Sequence, residues 1–390
     1  MVRVHTDLVG REMQRRTLRF GVAIALLVAS GIFGLAGGAH GQSGDSTTTL
    51  DPALDTLPRY REPTTTSKAT LSTPQPTTTT TTTTISPHAT TGDLSGVCAS
   101  IAKSTTEPTI PVSSAPAGLE TSVPSSNPTT TGIQGNGPKG CRLVAYYGNP
   151  NSPGLGPMGQ SPAPQMLSAL TALTKRWQDA DPRTPTRCAL QLIAVVAQGS
   201  PGAGSLYRGR ASAETINKVI GWGRQRGCLT ILDVQVGLSN VPAEVAYLER
   251  WLSMPDVHLA LDPEWDMPPG VKPGSRIGTM SAADINSAIA VLDRLAVTNG
   301  LGPRMLIVHR FRSFMVTDPQ TIKPTSNIRL LVNMDGFGPV AEKLSSYVVA
   351  QKGMPTGLTG MKLFFKLDRP LLGPGEVISL QPSPVFVNYQ

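Results

Sequence analysis

Residues 228–267 read CLTILDVQVGLSNVPAEVAYLERWLSMPDVHLALDPEWDM, and they contain one complete unit of the pattern that repeats along the C-terminal part of the chain. Two short apolar runs, Leu229–Val236 and Val257–Leu261, flank a helical pattern over Pro242–Leu252. Pro242 suits the first turn of a helix, where the missing backbone N–H costs nothing. A strand, a helix and a second strand in this order predict a βα unit with parallel strands.

The same alternation continues through the C-terminal part of the chain. Eight apolar runs predict strands, and they are Leu143–Tyr147, Leu190–Ala197, Leu229–Val236, Val257–Leu261, Met305–Val308, Ile328–Val332, Met361–Phe365 and Val385–Val387. Helical patterns lie between them at Ala163–Gln178, Ala213–Arg226, Pro242–Leu252, Ala282–Thr298 and Val340–Gln351. Eight strands within about 250 residues predict a (β/α)₈ TIM barrel over residues 140–390. A doubly wound open sheet is the alternative fold.

The residues before the barrel divide into two parts. Arginines up to Arg19 precede an uncharged apolar stretch from Phe20 to Ala39. Residues 1–41 are therefore predicted to be a signal peptide, or a single membrane anchor, since the stretch is long enough to span a bilayer. Residues 42–139 are rich in threonine and proline and predict a disordered linker. We expect a secreted or membrane-anchored protein with an extracellular barrel.

The charge of the chain excludes one class of partner. The formal net charge is +8. The basic residues are scattered, however, and do not form a groove in which lysine or arginine alternates with aromatic residues. We therefore expect no nucleic-acid partner, a weak attraction to anionic wall polymers, and a monomer.

The four cysteines favour disulfides, because disulfides persist in exported proteins. Cys141, Cys188 and Cys228 precede the first three predicted strands, and Cys98 lies in the predicted linker. Of the possible pairings we prefer Cys188–Cys228 with Cys98–Cys141, and free thiols are the alternative. The spacing does not resemble a zinc site, and we predict no metal and no cofactor. An oxygen-ligand site for Mg²⁺ or Ca²⁺, built from the carboxylates after the strands, is the alternative.

Polar residues follow the predicted strands at the end where TIM barrels build their active sites. The candidate catalytic residues are four carboxylates: Asp233, Asp262, Glu264 and Asp335. The candidate substrate-binding residues are Tyr147, Asn149, Gln235, Trp265, His309, Asn333, Lys366, Asp368 and Tyr389, of which the aromatic ones offer flat faces to sugar rings. Burying several charges is costly unless they pair or take part in function, so this concentration indicates a functional pocket.

Two carboxyl groups are what the hydrolysis of a glycosidic bond requires. We predict Glu264 as the general acid and Asp335 as the nucleophile or base, on opposite sides of one bond. Asp262 and Asp233 would tune their protonation, and Lys366 would hold one carboxylate ionised.

Six short motifs carry a family resemblance. They are YYGNPNSPGLGPMG at 146–159, HLALDPEW at 258–265, VHRF at 308–311, NMDGFG at 333–338, KLFFK at 362–366 and VNYQ at 387–390. In these motifs the chain resembles a family of uncharacterised secreted bacterial proteins with a glycoside-hydrolase-like TIM barrel, over Arg142–Gln390. A looser similarity links it to chitinase-type barrels, whose fourth strand carries DxxDxDxE, whereas this chain reads LALDPEWD.

Two functions remain open from the sequence. The first, which we favour, is a glycosidase that hydrolyses a cell-wall or extracellular polysaccharide. The alternative is a non-catalytic barrel of the cell envelope that binds glycan or acts as a scaffold through the same pocket.

Overall fold

A computed structural model describes residues 94, 96–99 and 140–390. The segment predicted as a signal peptide or anchor, and most of the predicted linker, lie outside these residues. Within them, no helix is both long enough and apolar enough to cross a membrane.

Eight parallel strands form the centre of the molecule. They are β1 (Arg142–Gly148), β2 (Thr186–Ala197), β4 (Leu229–Val234), β5 (Val257–Leu261), β7 (Arg304–His309), β9 (Ile328–Met334), β10 (Leu358–Leu363) and β11 (Phe386–Tyr389). Neighbours along the chain pair with each other, and β1 pairs with both β2 and β11. The sheet is therefore closed, which excludes the open doubly wound alternative and makes the fold a (β/α)₈ TIM barrel.

Helices surround this barrel, and three short strands lie in its loops. The helices are α1 (Ala163–Ala180), α2 (Ala213–Gln225), α3 (Val241–Leu252), α4 (Ala282–Thr298), α5 (Val340–Gln351) and α6 (Pro374–Ile378). The loop strands are β3 (Arg208–Arg210), β6 (Met280–Ser281) and β8 (Val316–Thr317). Ser212, Asn240 and Ser281 cap α2, α3 and α4 by accepting a backbone N–H three residues further on.

The alternation of side chains along each strand separates two apolar cores. In β5, Leu259 and Leu261 pack outward with residues of the helices, whereas Ala260 packs inward against Ile231 and Ile307 of neighbouring strands. Residues at the last inward positions of each strand therefore meet at the C-terminal mouth of the barrel, where the candidate site lies.

The opposite end of the barrel is closed by residues from the predicted linker. Leu94 and Val97 are fully buried and join the inner apolar cluster with Leu143 and Met305. The structure thus differs from the predicted linker at this segment, because a short apolar stretch packs onto the barrel.

Two disulfides lie at this same end. Cys188 pairs with Cys228 at a Cα–Cα distance of 4.7 Å, and Cys98 pairs with Cys141 at 6.4 Å. These are the two pairs that the sequence analysis prefers. The second of them ties the buried segment around Val97 to the residue before β1.

Candidate active site

One pocket opens at the C-terminal ends of the barrel strands. Of the predicted site residues, those that line it are Tyr147, Gln235, Asp262, Glu264, Trp265 and Asp335. Three others, Asp233, His309 and Asn333, are fully buried and do not line the pocket. The predicted residues therefore separate into a pocket wall and a buried polar layer.

The two carboxyl groups that follow β5 lie on a short 3-10 turn, Pro263–Trp265. The side chain of Asp262 accepts the backbone N–H of Glu264 at 3.2 Å, which fixes the start of this turn. The backbone N–H of Gly278 donates to the carbonyl of Glu264 at 2.7 Å. Asp262 is buried, whereas Glu264 is half-buried at the mouth of the pocket.

Asp335, directly after β9, lies between two basic side chains. His309 Nδ1 is 3.0 Å from Asp335 Oδ2, and the ammonium of Lys362 is 3.6 Å from the same oxygen. Lys362 also lies over the ring of Tyr147, 3.8 Å from its centroid. Asp335 Oδ1 is buried and has no hydrogen-bond partner among the described residues. One oxygen of Asp335 is thus held by basic groups, and the other has no hydrogen-bond partner within the described residues.

A chain of polar side chains continues from His309 across the barrel interior. His309 Nε2 lies 3.0 Å from Asp233 Oδ2, which also accepts an N–H of the Gln191 amide at 2.6 Å. The Gln191 carbonyl accepts from Asn388 at 2.7 Å, and the Asn388 carbonyl accepts from Asn333 at 3.1 Å. Asn333, His309 and Asp233, predicted as binding or catalytic residues, therefore form an interior layer with Gln191 and Asn388.

The pocket shifts the pKa values of its carboxyl groups in opposite directions. Burial, reinforced by the charges of Asp262 and Asp335, raises the pKa of Glu264 well above its usual range. Burial is also the main cause that raises the pKa of Asp262 to about 7. Burial would raise the pKa of Asp335 too, but Lys362 and His309 outweigh it and lower that pKa. Near neutral pH the site therefore holds a protonated acid beside an ionised carboxylate.

The group formed by Asp262, His309 and Asp335 does not suit a metal ion, although one ligand atom of each lies within 4.8 Å of the others. A metal binds a bare imidazole nitrogen, and both nitrogens of His309 lie 3.0 Å from carboxylate oxygens. Lys362 would place a second cation beside the same Asp335 oxygen. We therefore do not treat these three residues as metal ligands.

Aromatic side chains form a wall of the pocket, and a buried ion pair supports them. Phe337 and Phe364 pack edge to face with ring centroids 5.6 Å apart. Beneath them Lys343 contacts Asp368 at 3.0 Å and donates to the Gly336 carbonyl at 2.7 Å. Asp368 also accepts the backbone N–H of Phe364 at 2.9 Å. This pair ties together the loops that follow β9 and β10.

Four predicted binding residues lie elsewhere. Lys366 is exposed, because β10 ends at Leu363 rather than at Phe365, so the lysine that reaches the pocket is Lys362. Asp368 is the buried partner of Lys343 and does not line the pocket.

Tyr389 and Asn149 are the other two. Tyr389 points outward, where its hydroxyl accepts from Trp177 of α1 at 3.0 Å. Asn149 is buried beside the mouth, where it donates to the Ile193 carbonyl at 3.2 Å. Neither side chain is placed to contact a ligand in the pocket.

Sequence reasoning missed Gln191 and Lys362 as site residues. Each lies inside a run that is otherwise mostly apolar, at an inward position of its strand. Every second residue of a strand faces the barrel interior. Counting back in steps of two from the polar residue at the end of each strand would have identified both side chains.

Comparison with known proteins adds little to this geometry. No family model and no curated protein matches the chain. Among solved structures, it is similar to a GH18 chitinase from Pseudoalteromonas aurantia, with 12% identity and a TM-score of 0.33 over 64% of this chain and 93% of that chain. A similarity of this size carries no functional argument. The closed ring of eight parallel strands establishes by itself that this chain is a TIM-barrel protein.

Proposed function

We propose that this barrel is a glycoside hydrolase that acts on a cell-wall or extracellular polysaccharide, with Glu264 as general acid and Asp335 as nucleophile or base. One observation carries the proposal: a single pocket holds a carboxyl group whose pKa is raised and another whose pKa is lowered. Glycosidases need this division of roles between two carboxyl groups.

Glu264 has the position and the protonation of a general acid. Its carboxyl group is half-buried at the mouth, where a leaving-group oxygen has access. Its raised pKa keeps a proton available near neutral pH. Asp262, whose pKa is about 7, lies beneath it and accepts the Glu264 backbone N–H. A negative charge on Asp262 would strengthen the hold of Glu264 on its proton.

Asp335 has the features of a nucleophile or base. His309 and Lys362 both contact Oδ2, which favours the ionised form. Oδ1 makes no hydrogen bond within the described part of the chain, and Asp335 lines the pocket. Among the described residues Oδ1 has no partner to compete with a substrate, so it is the oxygen that we assign to attack a sugar carbon or to take a proton from water.

The remaining lining suits a carbohydrate. Trp265, Phe337 and Phe364 present aromatic surface to the pocket. Such rings pack against the apolar faces of sugar rings, while the carboxylates and Gln235 can meet hydroxyl groups. The aromatic wall therefore supports a glycan as the ligand.

An extracellular location forms part of the proposal. Both disulfides of the structure support it, since disulfides persist in oxidising surroundings. An extracellular barrel would meet wall polysaccharides directly.

The test is a screen of the disulfide-bonded protein, residues 42–390, against wall polysaccharides and soluble oligosaccharides. For any glycan that is cleaved, Glu264→Gln and Asp335→Asn should each lower kcat by about 10²-fold or more. Glu214→Gln is the matched control, because Glu214 is exposed on α2. If both site variants cleave like the control, the assignment is wrong. Glycan binding without any cleavage would favour the non-catalytic barrel.

A further inference from the structure

His309 lies beneath the pocket rather than in its wall. Its side chain is completely buried and does not line the cavity. A substrate would therefore meet Asp335 and Glu264 without touching His309. A buried histidine in direct contact with a catalytic carboxylate, yet hidden from substrate, needs its own explanation.

The hydrogen bonds around His309 determine its protonation. Nδ1 lies 3.0 Å from Asp335 Oδ2, and Nε2 lies 3.0 Å from Asp233 Oδ2. A carboxylate accepts and does not donate, so each short contact requires an N–H on the ring. Two such contacts to ionised carboxylates require both nitrogens to carry protons. The Gln191 amide nitrogen also lies 3.0 Å from Nε2, but its shorter contact, 2.6 Å, is to Asp233 Oδ2, so we assign its N–H to Asp233. The geometry therefore describes an imidazolium between two carboxylates.

The side-chain amides of Gln191, Asn388 and Asn333 form a hydrogen-bonded chain, the amide chain, which orients Asp233 toward His309. Asn388 donates to the Gln191 carbonyl, so the Gln191 amide nitrogen must face Asp233. Asn333 orients Asn388 in the same way. Gly360 leaves the room for this layer, because a Cβ there would lie 2.6 Å from the Asn333 carbonyl oxygen. Asp233 is thus supplied with N–H donors and remains an acceptor for His309.

We propose that His309 is a positioning residue: held as an imidazolium by Asp233 and the amide chain, it occupies Oδ2 of Asp335 and reserves Oδ1 for the reaction. The inference rests on the proposed role of Asp335. The titratable groups that interact with His309 are Asp233 on β4, Asp262 and Glu264 after β5, Asp335 after β9 and Lys362 on β10, with the Tyr147 ring of β1 at 6.1 Å.

The pKa of His309 agrees with this geometry. Burial alone would lower it, but Asp233 and Asp335 outweigh burial and the charge of Lys362 and raise it to about 10. The ring should therefore stay charged at every pH at which an extracellular hydrolase works.

His258 is an internal control for the protonation of a buried histidine. It is also completely buried, on β5, but its Nδ1 accepts the backbone N–H of Met305 at 3.1 Å. That nitrogen is bare, and burial lowers the pKa of His258 well below its usual range. His258 and His309 are the two histidines of residues 140–390, and their surroundings favour a neutral ring at His258 and a positively charged ring at His309.

The first experiment is nitrogen NMR of the protein labelled with ¹⁵N-histidine, since protonated and bare ring nitrogens resonate far apart. The signals are assigned by their loss in His309→Gln and His258→Gln. Between pH 5 and pH 8, both nitrogens of His309 should be protonated, and one nitrogen of His258 should be bare. A neutral His309 ring overturns the inference, whatever the glycan screen returns.

The second experiment measures the positioning role on a glycan that the wild type cleaves and Asp335→Asn does not. His309→Gln can still donate one N–H to Asp335 but carries no charge. We expect kcat to fall about 10-fold to 10²-fold with KM nearly unchanged, and the acidic limb of the pH profile to move to higher pH. An unchanged kcat and pH profile would overturn the role. Full activity of Asp335→Asn would instead count against the proposed function.

Discussion

Replacing Leu94 by alanine should destabilise the whole barrel, although the sequence predicts a disordered linker at this position. The Leu94 side chain is fully buried in the inner apolar cluster, together with Val97 and Leu143. Truncating a buried leucine to alanine costs about 2–5 kcal/mol, from lost burial and the cavity that remains. For a domain of this size each kcal/mol lowers Tm by about 2–4 °C, so the expected decrease is roughly 4–20 °C.

The assay is thermal unfolding of the disulfide-bonded protein, followed by circular dichroism at neutral pH. Leu371→Ala is the matched control, because that leucine is 37% exposed and its truncation should change the free energy of unfolding by about 0.5 kcal/mol or less. Equal Tm values for Leu94→Ala and Leu371→Ala would refute the packing of this segment. Val97→Ala should also lower Tm, by less than Leu94→Ala, since it removes fewer atoms.

Three further perturbations test the rest of the structure. Serine at both positions of the Cys188–Cys228 pair should lower the free energy of unfolding by about 2–4 kcal/mol in a urea titration, and no change would mean that the pair is not formed. Gly360→Ala should cost about 1–3 kcal/mol, because its Cβ would meet Asn333, whereas Gly357→Ala has open space and should be neutral. The pKa of Asp262 is raised to about 7, so the folded chain binds its proton more tightly than the unfolded chain, and this stabilisation is lost as pH rises from about 4 to 7. Asp262→Asn should therefore gain stability relative to the wild type over that interval, and a constant difference between the two would contradict the raised pKa.

The strands could be located from the sequence because parallel strands buried on both faces are nearly continuous apolar runs. The same reasoning found Asp262 and Asp335, which directly follow such runs. Tyr389 shows where this reasoning from the sequence fails. An error of one position along a strand turns a residue to the other face, and Tyr389 accordingly lies against Trp177 rather than in the pocket.

Contacts between segments that are distant in sequence could not be predicted from the pattern of apolar runs. Leu94 and Val97 follow a long polar stretch, and only the inner cluster of the folded barrel shows where they pack. The pairing of Lys343 with Asp368 joins α5 to the loop that follows β10. The sequence predicts Lys366 at the site because the predicted strand ends at Phe365, two residues after the end of β10. Tertiary packing decided each of these cases.

The balance of charge explains which carboxyl group becomes the acid. Glu342 and Arg312 also line the pocket, and their charges interact with each other. The other ionisable side chains of the described pocket lining and of the layer beneath it are four carboxyl groups and two basic groups: Asp233, Asp262, Glu264, Asp335, His309 and Lys362. The basic groups contact Asp233 and Asp335 and can compensate two negative charges. Asp262 and Glu264 have no such contact and interact with each other, so a proton must remain on this pair near neutral pH. Glu264 is the member of this pair that reaches the mouth of the pocket. The excess of carboxyl groups over basic groups therefore keeps a proton at the position where a leaving-group oxygen would accept it.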